Sequence, residues 1–238
     1  MKKIIYFLLI FIPMYINSQP FYSVEYELKI ANDDENNDLK NKYINLANEG
    51  ASKITFILEF NTSNSNFYLL DNLYVKERNS KLAIAMSDYD NLIYNDLKEQ
   101  KVLYNNREEK IFKNEEFLIK DTMFSKWELV NESKLIQSYL CFKAIGKKEY
   151  YEGEKKFIKD IIAWYCPQFP YQFGPDSYGN LPGLILELSV GDVLFGAKKI
   201  SYTKEYISKQ PTKGTKISRE NYMKEIIFRR EKFTRERE

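Results

Sequence analysis

Strand-like segments follow one another along this chain with only short polar links between them. The clearest is "YSVEYELKI" at 22–30, which alternates strictly. Tyr22, Val24, Tyr26, Leu28 and Ile30 fall on one face, and Ser23, Glu25, Glu27 and Lys29 on the other, the pattern of a half-buried strand. Further segments of this kind lie at 54–60, 66–70, 92–95, 101–105, 109–114, 116–121, 126–131, 137–145, 157–166, 184–190 and 194–205. The links are short and rich in Asn, Asp and Gly. They make hairpins, so the sheet is antiparallel. The 19 tyrosines and 16 phenylalanines suit strands as well. The expected fold is mainly β: a curved antiparallel sheet, half-barrel or open barrel-like, and no internal repeat.

Two helices are expected beside it. Leu39, Tyr43, Leu46 and Ala47 recur at helical spacing, with Gly50 placed to close a helix over 37–49. Near the end, "KQPTKGTK" (209–216) has linker composition, and Ser218 can cap a helix carrying Met223, Ile226, Ile227 and Phe233 on one side. Its other side is charged, with Arg229, Arg230, Lys232, Arg235 and Arg237. That helix either docks its apolar stripe on the sheet or offers a contact to an anionic surface.

The chain opens "MKKIIYFLLIFIPMYINSQ". Lys2 and Lys3, then a short apolar run, then Ser18 have the pattern of a secretory leader cut after Ser18. The run is short for a membrane span, no cysteine follows it for lipidation, and no later stretch is apolar enough to be a transmembrane helix. The expected organisation is a leader at 1–18, an antiparallel β domain at 19–208, and a linker with a charged amphipathic helix at 209–238. The expected place is the periplasm or the exterior. The leader takes two of the 36 basic residues and none of the 34 acidic ones, leaving a nearly neutral chain. Nucleic acid is therefore not an expected partner.

There is no histidine. That removes the commonest general base, the usual catalytic triads and the commonest metal ligand. "NDDENND" (32–38) clusters carboxylates but lacks the glycine and terminal glutamate of a calcium loop, so neither metal nor other cofactor is expected. An enzyme built on this chain would use carboxylates, such as Glu25 with Glu27, Asp88 with Asp90, or Asp176 beside Tyr178. No nucleophile–base arrangement can be read. Cys141 and Cys166 form an even pair that would face each other across a hairpin turning between Gly153 and Glu154. They are a candidate disulfide or two buried thiols.

The stretch from 163 to 188, "AWYCPQFPYQFGPDSYGNLPGLILEL", differs from its surroundings. Pro167 and Pro170 end the strand carrying Trp164. Gly174 and Pro175 make a bend, and Pro182 and Gly183 fit the centre of a type II turn. Leu184, Ile185, Leu186 and Leu188 then enter the sheet as an interior strand. This pattern resembles the signature of the GLPGLI-family secreted proteins of Bacteroidota-type bacteria. Residues Asn180, Leu181, Pro182, Gly183, Leu184 and Ile185 stand at the hexapeptide that names the family. Asparagine replaces its first glycine, which points to a left-handed backbone at Asn180. The resemblance is strong over 137–190 and includes the cysteine in "YLCFKA"; at Cys166 the family more often has threonine or serine. It implies secretion, a β-rich domain and work near outer-membrane uptake receptors, and it brings no catalytic residues.

The expected function is a binding or accessory protein. A groove under the 166–183 loop, lined by Trp164, Tyr165, Phe169, Tyr171, Phe173 and Tyr178, would hold an apolar, peptide or glycan ligand. The same aromatics could instead be core. A scaffold for a protein partner, through the C-terminal helix or the edge strands, is the alternative, and a carboxylate-based hydrolase comes after it. "DTM" at 121–123 resembles a short O-glycosylation acceptor pattern.

Overall fold

The computed structural model describes residues 21–31, 37–89, 91–106, 115–152, 155–203 and 206–235. The leader, residues 32–36 of the acidic loop, Asp90, the 109–114 segment and the Gly153–Glu154 turn lie outside them.

The described residues form one open, twelve-stranded sheet with three helices. The strands are β1 (Phe21–Ile30), β2 (Phe56–Phe60), β3 (Asn64–Leu69), β4 (Ile93–Asp96), β5 (Lys101–Asn105) and β6 (Phe117–Thr122), then β7 (Glu128–Ile136), β8 (Tyr139–Glu152), β9 (Lys155–Cys166), β10 (Leu184–Val190), β11 (Val193–Thr203) and β12 (Thr215–Ser218). Their order across the sheet is β12-β6-β5-β4-β3-β2-β1-β11-β10-β9-β8-β7. Most neighbours are consecutive in the sequence and antiparallel, joined by short turns or, after β1, β3, β5 and β9, by longer connections. The long-range closure is β1 against β11, which places the first described strand beside one of the last. β10 lies between β9 and β11, the interior position expected from its two-sided apolar sequence.

The predicted face of β1 is the core face. Val24, Tyr26, Leu28 and Ile30 are all buried, while Glu25 and Glu27 point outward to Lys199 and Lys198. Rings from β2, β3 and β11 meet them: Phe56 stacks on Phe67 at 5.5 Å, and Phe195 abuts Phe56 edge-on at 5.2 Å. Each buried ring of this kind contributes about 1.5–3 kcal/mol by leaving water.

Helix α1 (Asp38–Ala51) starts where expected, with the Asn37 side chain accepting from the Lys40 N–H at 3.0 Å. Two details differ from expectation. The buried face is Ile44, Ala47, Gly50 and Ala51, whereas Leu39 and Tyr43 are exposed. Gly50 does not end the helix; it lies inside it, against a second helix, α2 (Arg78–Ser87), that the sequence did not announce. A Cβ on Gly50 would sit 2.1 Å from the Asn79 carbonyl, so this glycine sets how closely α1 and α2 approach.

The tail is also more integrated than a linker. Residues 215–218 pair with β6 as β12, the one parallel pairing among these strands. Helix α3 (Arg219–Arg235) follows at once, with the Asn221 N–H donating to Ser218 Oγ at 3.3 Å. It buries Tyr222 and Ile226 against Phe117 and Ile119 of β6. Among the described residues, no helix is long and apolar enough to cross a membrane.

Candidate functional site

The 167–183 segment is held at many points. The Leu184 N–H donates to the Phe169 carbonyl at 2.9 Å, the Ile185 N–H to Phe173 at 3.0 Å, and the Asn180 N–H to Gln172 at 3.1 Å. Trp127 Nε1 donates to the Gly179 carbonyl at 2.7 Å. Asn180 has φ 61°, as its place in the signature predicted, and its amide is bonded to Gln100 and to the Phe124 carbonyl. The Pro182–Gly183 pair is not a type II turn. Gly183 has no positive φ; its role is close approach, since a Cβ there would lie 2.4 Å from the Cys166 carbonyl oxygen. Gly174 is needed for the same reason, beside the Ile185 side chain.

This crossing segment packs its aromatic residues inward. Phe173 and Tyr178 are fully buried, and Tyr165 is buried too. Tyr171 lies between Tyr22 at 4.9 Å and Phe60 at 5.1 Å, Phe173 meets Phe60, and Phe169 meets Tyr139. Trp164 lies on the sheet beneath Lys134, 4.3 Å from its ring centre. None of the six proposed groove residues lines the pocket that Asp176 and Ser177 of the same segment help to build. They form the packing beneath the segment.

That pocket, of about 400 Å³, lies on the helix-bearing side of the sheet. Five parts of the chain build it. The end of α2 brings Asp88 and Tyr89, β4 to β6 bring Tyr104, Ile119 and Asp121, and β8 brings Lys148. The crossing segment brings Asp176 and Ser177, and α3 brings Arg219, Tyr222, Met223, Ile226 and Arg230. Asp176 is fixed from below: Asn95 Nδ2 donates to its carbonyl at 2.8 Å and to Ser65 Oγ at 3.1 Å. The Phe124 N–H caps the Ser177 carbonyl at 2.9 Å. So the signature segment does reach a pocket, through its polar residues. Of the carboxylates singled out in the sequence, Asp88 and Asp176 converge here; Glu25 and Glu27 stay on the outer surface.

Charge in the pocket is mixed. Arg219 Nη1 donates to Asp121 Oδ2 at 2.7 Å. Lys148 Nζ lies 5.2 Å from the centre of the Tyr178 ring, a cation–π contact. Burial pulls its pKa below the ordinary lysine value, opposed by Asp176, Asp121 and Asp88 and reinforced by Arg219. Among the described residues, the Tyr178 hydroxyl is buried without a hydrogen-bond partner. Burial raises the pKa of Tyr104 and Tyr178 well above that of a free tyrosine. Among the described residues, no group of three or more His, Cys, Asp or Glu side chains could hold a metal ion.

A second hollow, of about 500 Å³, lies on the opposite face of β5 and β6, where residues 210–212 cross Leu103 and Leu118. It gathers no comparable charge cluster. Cys141 and Cys166 flank the β8–β9 register at the position after Phe142 opposite Tyr165, as the hairpin count expected. Both are buried and free in this structure, and burial beside Cys166 pushes the Cys141 thiol up to about 12.

Residues 147–187 match a protein family described as "Protein of unknown function (Porph_ging)". The match contains Lys148, the whole crossing segment and most of the signature. No curated protein matches the sequence. Two solved structures of PNGF-II, in space groups P21 and C2, are similar, with TM-scores of 0.53 and 0.54 and 15% identity. Each similarity covers 89% of this chain, but only 34% and 33% of the PNGF-II chains. The chain thus spans about a third of the length of those structures. At that identity the likeness shows the fold.

Proposed function

We propose that this is a secreted or periplasmic, non-catalytic binding protein, exported by a leader cut near Ser18, and that it holds a small ligand in the pocket between α2, β8 and α3. The observation that carries this reading is the convergence of Asp88, Asp121, Lys148, Asp176, Arg219 and Arg230 around one cavity, from segments far apart in sequence. A solvated surface scatters its charges, whereas a site gathers them against an apolar wall. The cavity favours a polar or peptide- or glycan-like ligand over a wholly apolar one. Work beside an outer-membrane uptake receptor fits the family resemblance and belongs to the same proposal. The test is native mass spectrometry of protein purified from its own source. Excess mass that disappears on denaturation supports the reading, and Met223→Trp, which fills the pocket from α3, should abolish it. A bare chain in every preparation would sink it.

A scaffold role is the second reading, and one observation favours it. β7 is an edge strand, and Leu129 and Leu135 on it are 58% and 67% exposed. Edge strands with free backbone groups can accept a partner strand. The α3 helix supports this reading less, because its Tyr222 and Ile226 are already used against β6.

A further inference from the structure

The charges in the pocket are unequally satisfied. Among the described residues, Lys148 Nζ has no ion-pair or hydrogen-bond acceptor, only the face of Tyr178. An ammonium carries three donors and no acceptor. Held in a cavity of low dielectric without an oxygen partner, it is costly. Arg219 is near enough to Lys148 to depress its pKa. It gives Nη1 to Asp121, while a guanidinium has five N–H donors in a fixed fork. The two cations together therefore present more donors than the described residues supply acceptors.

The three acids of the pocket limit what can fill this gap. Among the described residues, Asp88, Asp121 and Asp176 stand against Lys148, Arg219 and Arg230, so their charges are near balance before any ligand enters. A dianion such as phosphate would meet three carboxylates, whereas a monoanion needs only the local excess at Lys148 and Arg219. The wall beyond these cations is apolar: Ile119, Met223 and Ile226, with the rings of Tyr104 and Tyr222.

Building on the pocket-binding reading, we infer that the ligand carries a carboxylate on an apolar body. Its carboxylate oxygens accept from Lys148 Nζ and the Arg219 guanidinium, and its body lies along Ile119, Met223 and Ile226. The chemistry is shared by fatty acids and by N-acylated apolar amino acids, and the probes separate the two sources.

The test titrates the full chain, followed by NMR, with octanoate, N-acetyl-L-phenylalanine and the neutral N-acetyl-L-phenylalaninamide. At least one carboxylate should bind, shifting signals of α3 and β8. The amide should bind about tenfold more weakly than its acid, the usual scale of a lost charged hydrogen bond. Lys148→Met should bring the acid down to the level of the amide. Octanoate alone binding would assign the fatty-acid source, and N-acetyl-L-phenylalanine alone the amino-acid source. Equal binding of acid and amide to the wild type overturns the carboxylate assignment and leaves the pocket reading standing; this comparison does not depend on the variant folding. Binding unchanged in Lys148→Met does the same. If no probe binds at millimolar concentration, the carboxylate assignment falls. The pocket reading then falls with it only if native mass spectrometry also finds no ligand.

Discussion

The hydroxyl of Tyr26, on β1, donates to the main-chain carbonyl of Ile185, on β10, across a separation of 159 residues and a distance of 2.5 Å. β10 has its bulge against β9 between Ile185 and Glu187, and β11 pairs with β10 only from Glu187 onward. The Ile185 carbonyl therefore takes a side chain as its partner, and the fully buried Tyr26 supplies it. Tyr26→Phe keeps the ring and removes only this bond. It should cost about 1–3 kcal/mol, the penalty for a buried carbonyl left without a donor. Urea denaturation of the two proteins measures this. An unchanged midpoint would mean that water reaches the carbonyl.

Gly50 makes a sharper steric prediction. Gly50→Ala drives a Cβ into the Asn79 backbone of α2, where no side chain can swing aside. Overpacking of this kind costs about 1–3 kcal/mol or more. Gly196→Ala is the control, because its Cβ would meet only the Glu27 side chain at 3.7 Å. Thermal melts should show Gly50→Ala several degrees below wild type, at roughly 2–4 °C per kcal/mol for a chain of this size, with Gly196→Ala close to wild type.

The sheet was legible because its signal is local. Strict alternation over 22–30 places the correct face of β1 inside, and short links place β2 beside β3, β4 beside β5, β7 beside β8, β8 beside β9 and β10 beside β11. Asn180 was legible too, since only the backbone conformation decides it. α2 was not, because it packs Ser80, Ala83 and Ser87 inward; small residues make a close contact without an apolar stripe. The sequence of α1 points to a slightly rotated face for the related reason that Leu39 and Tyr43 are apolar yet exposed. The pocket was the least legible feature. The sequence marks Asp88 and Asp176 as candidate carboxylates, but Lys148 and Arg219 meet them only through the placement of β8 and α3, which no local pattern encodes.

The cysteines offer a chemical readout. With Cys141 buried and its thiol held up to about 12, it is almost wholly protonated at neutral pH and shielded from reagents. Ellman's reagent should find no reactive thiol in the native protein and both Cys141 and Cys166 after denaturation. A denatured, unreduced chain with no reactive thiol would show the pair to be bonded, which their opposed register allows.

Lys148 links the pocket to pH. Its pKa in the folded protein is lowered from 10.5 by burial, so at alkaline pH the unfolded chain keeps a proton that the folded chain has released. Where the unfolded state binds more protons, stability rises with pH. Charged Lys148 is thus a cost below its folded pKa, and that cost fades as pH climbs toward 10.5. Unfolding free energies of wild type and Lys148→Met, compared from about pH 7 to about pH 10, should show the variant's advantage shrinking with pH. Taking the difference cancels the buried tyrosines, whose raised pKa values destabilise both proteins alike at high pH. A constant difference would mean that the ammonium is solvated.

On the proposed function, the pocket between α2, β8 and α3 is where this protein meets its ligand. The most direct measurement is a crystal structure of the protein as purified from its own source. Density is expected in that cavity, within hydrogen-bonding distance of Lys148 Nζ and bounded by Asp176 and Arg219. Density against the β7 edge or between the aromatic residues of the crossing segment would contradict it. So would a closed cavity in which Lys148 reaches Asp176 directly.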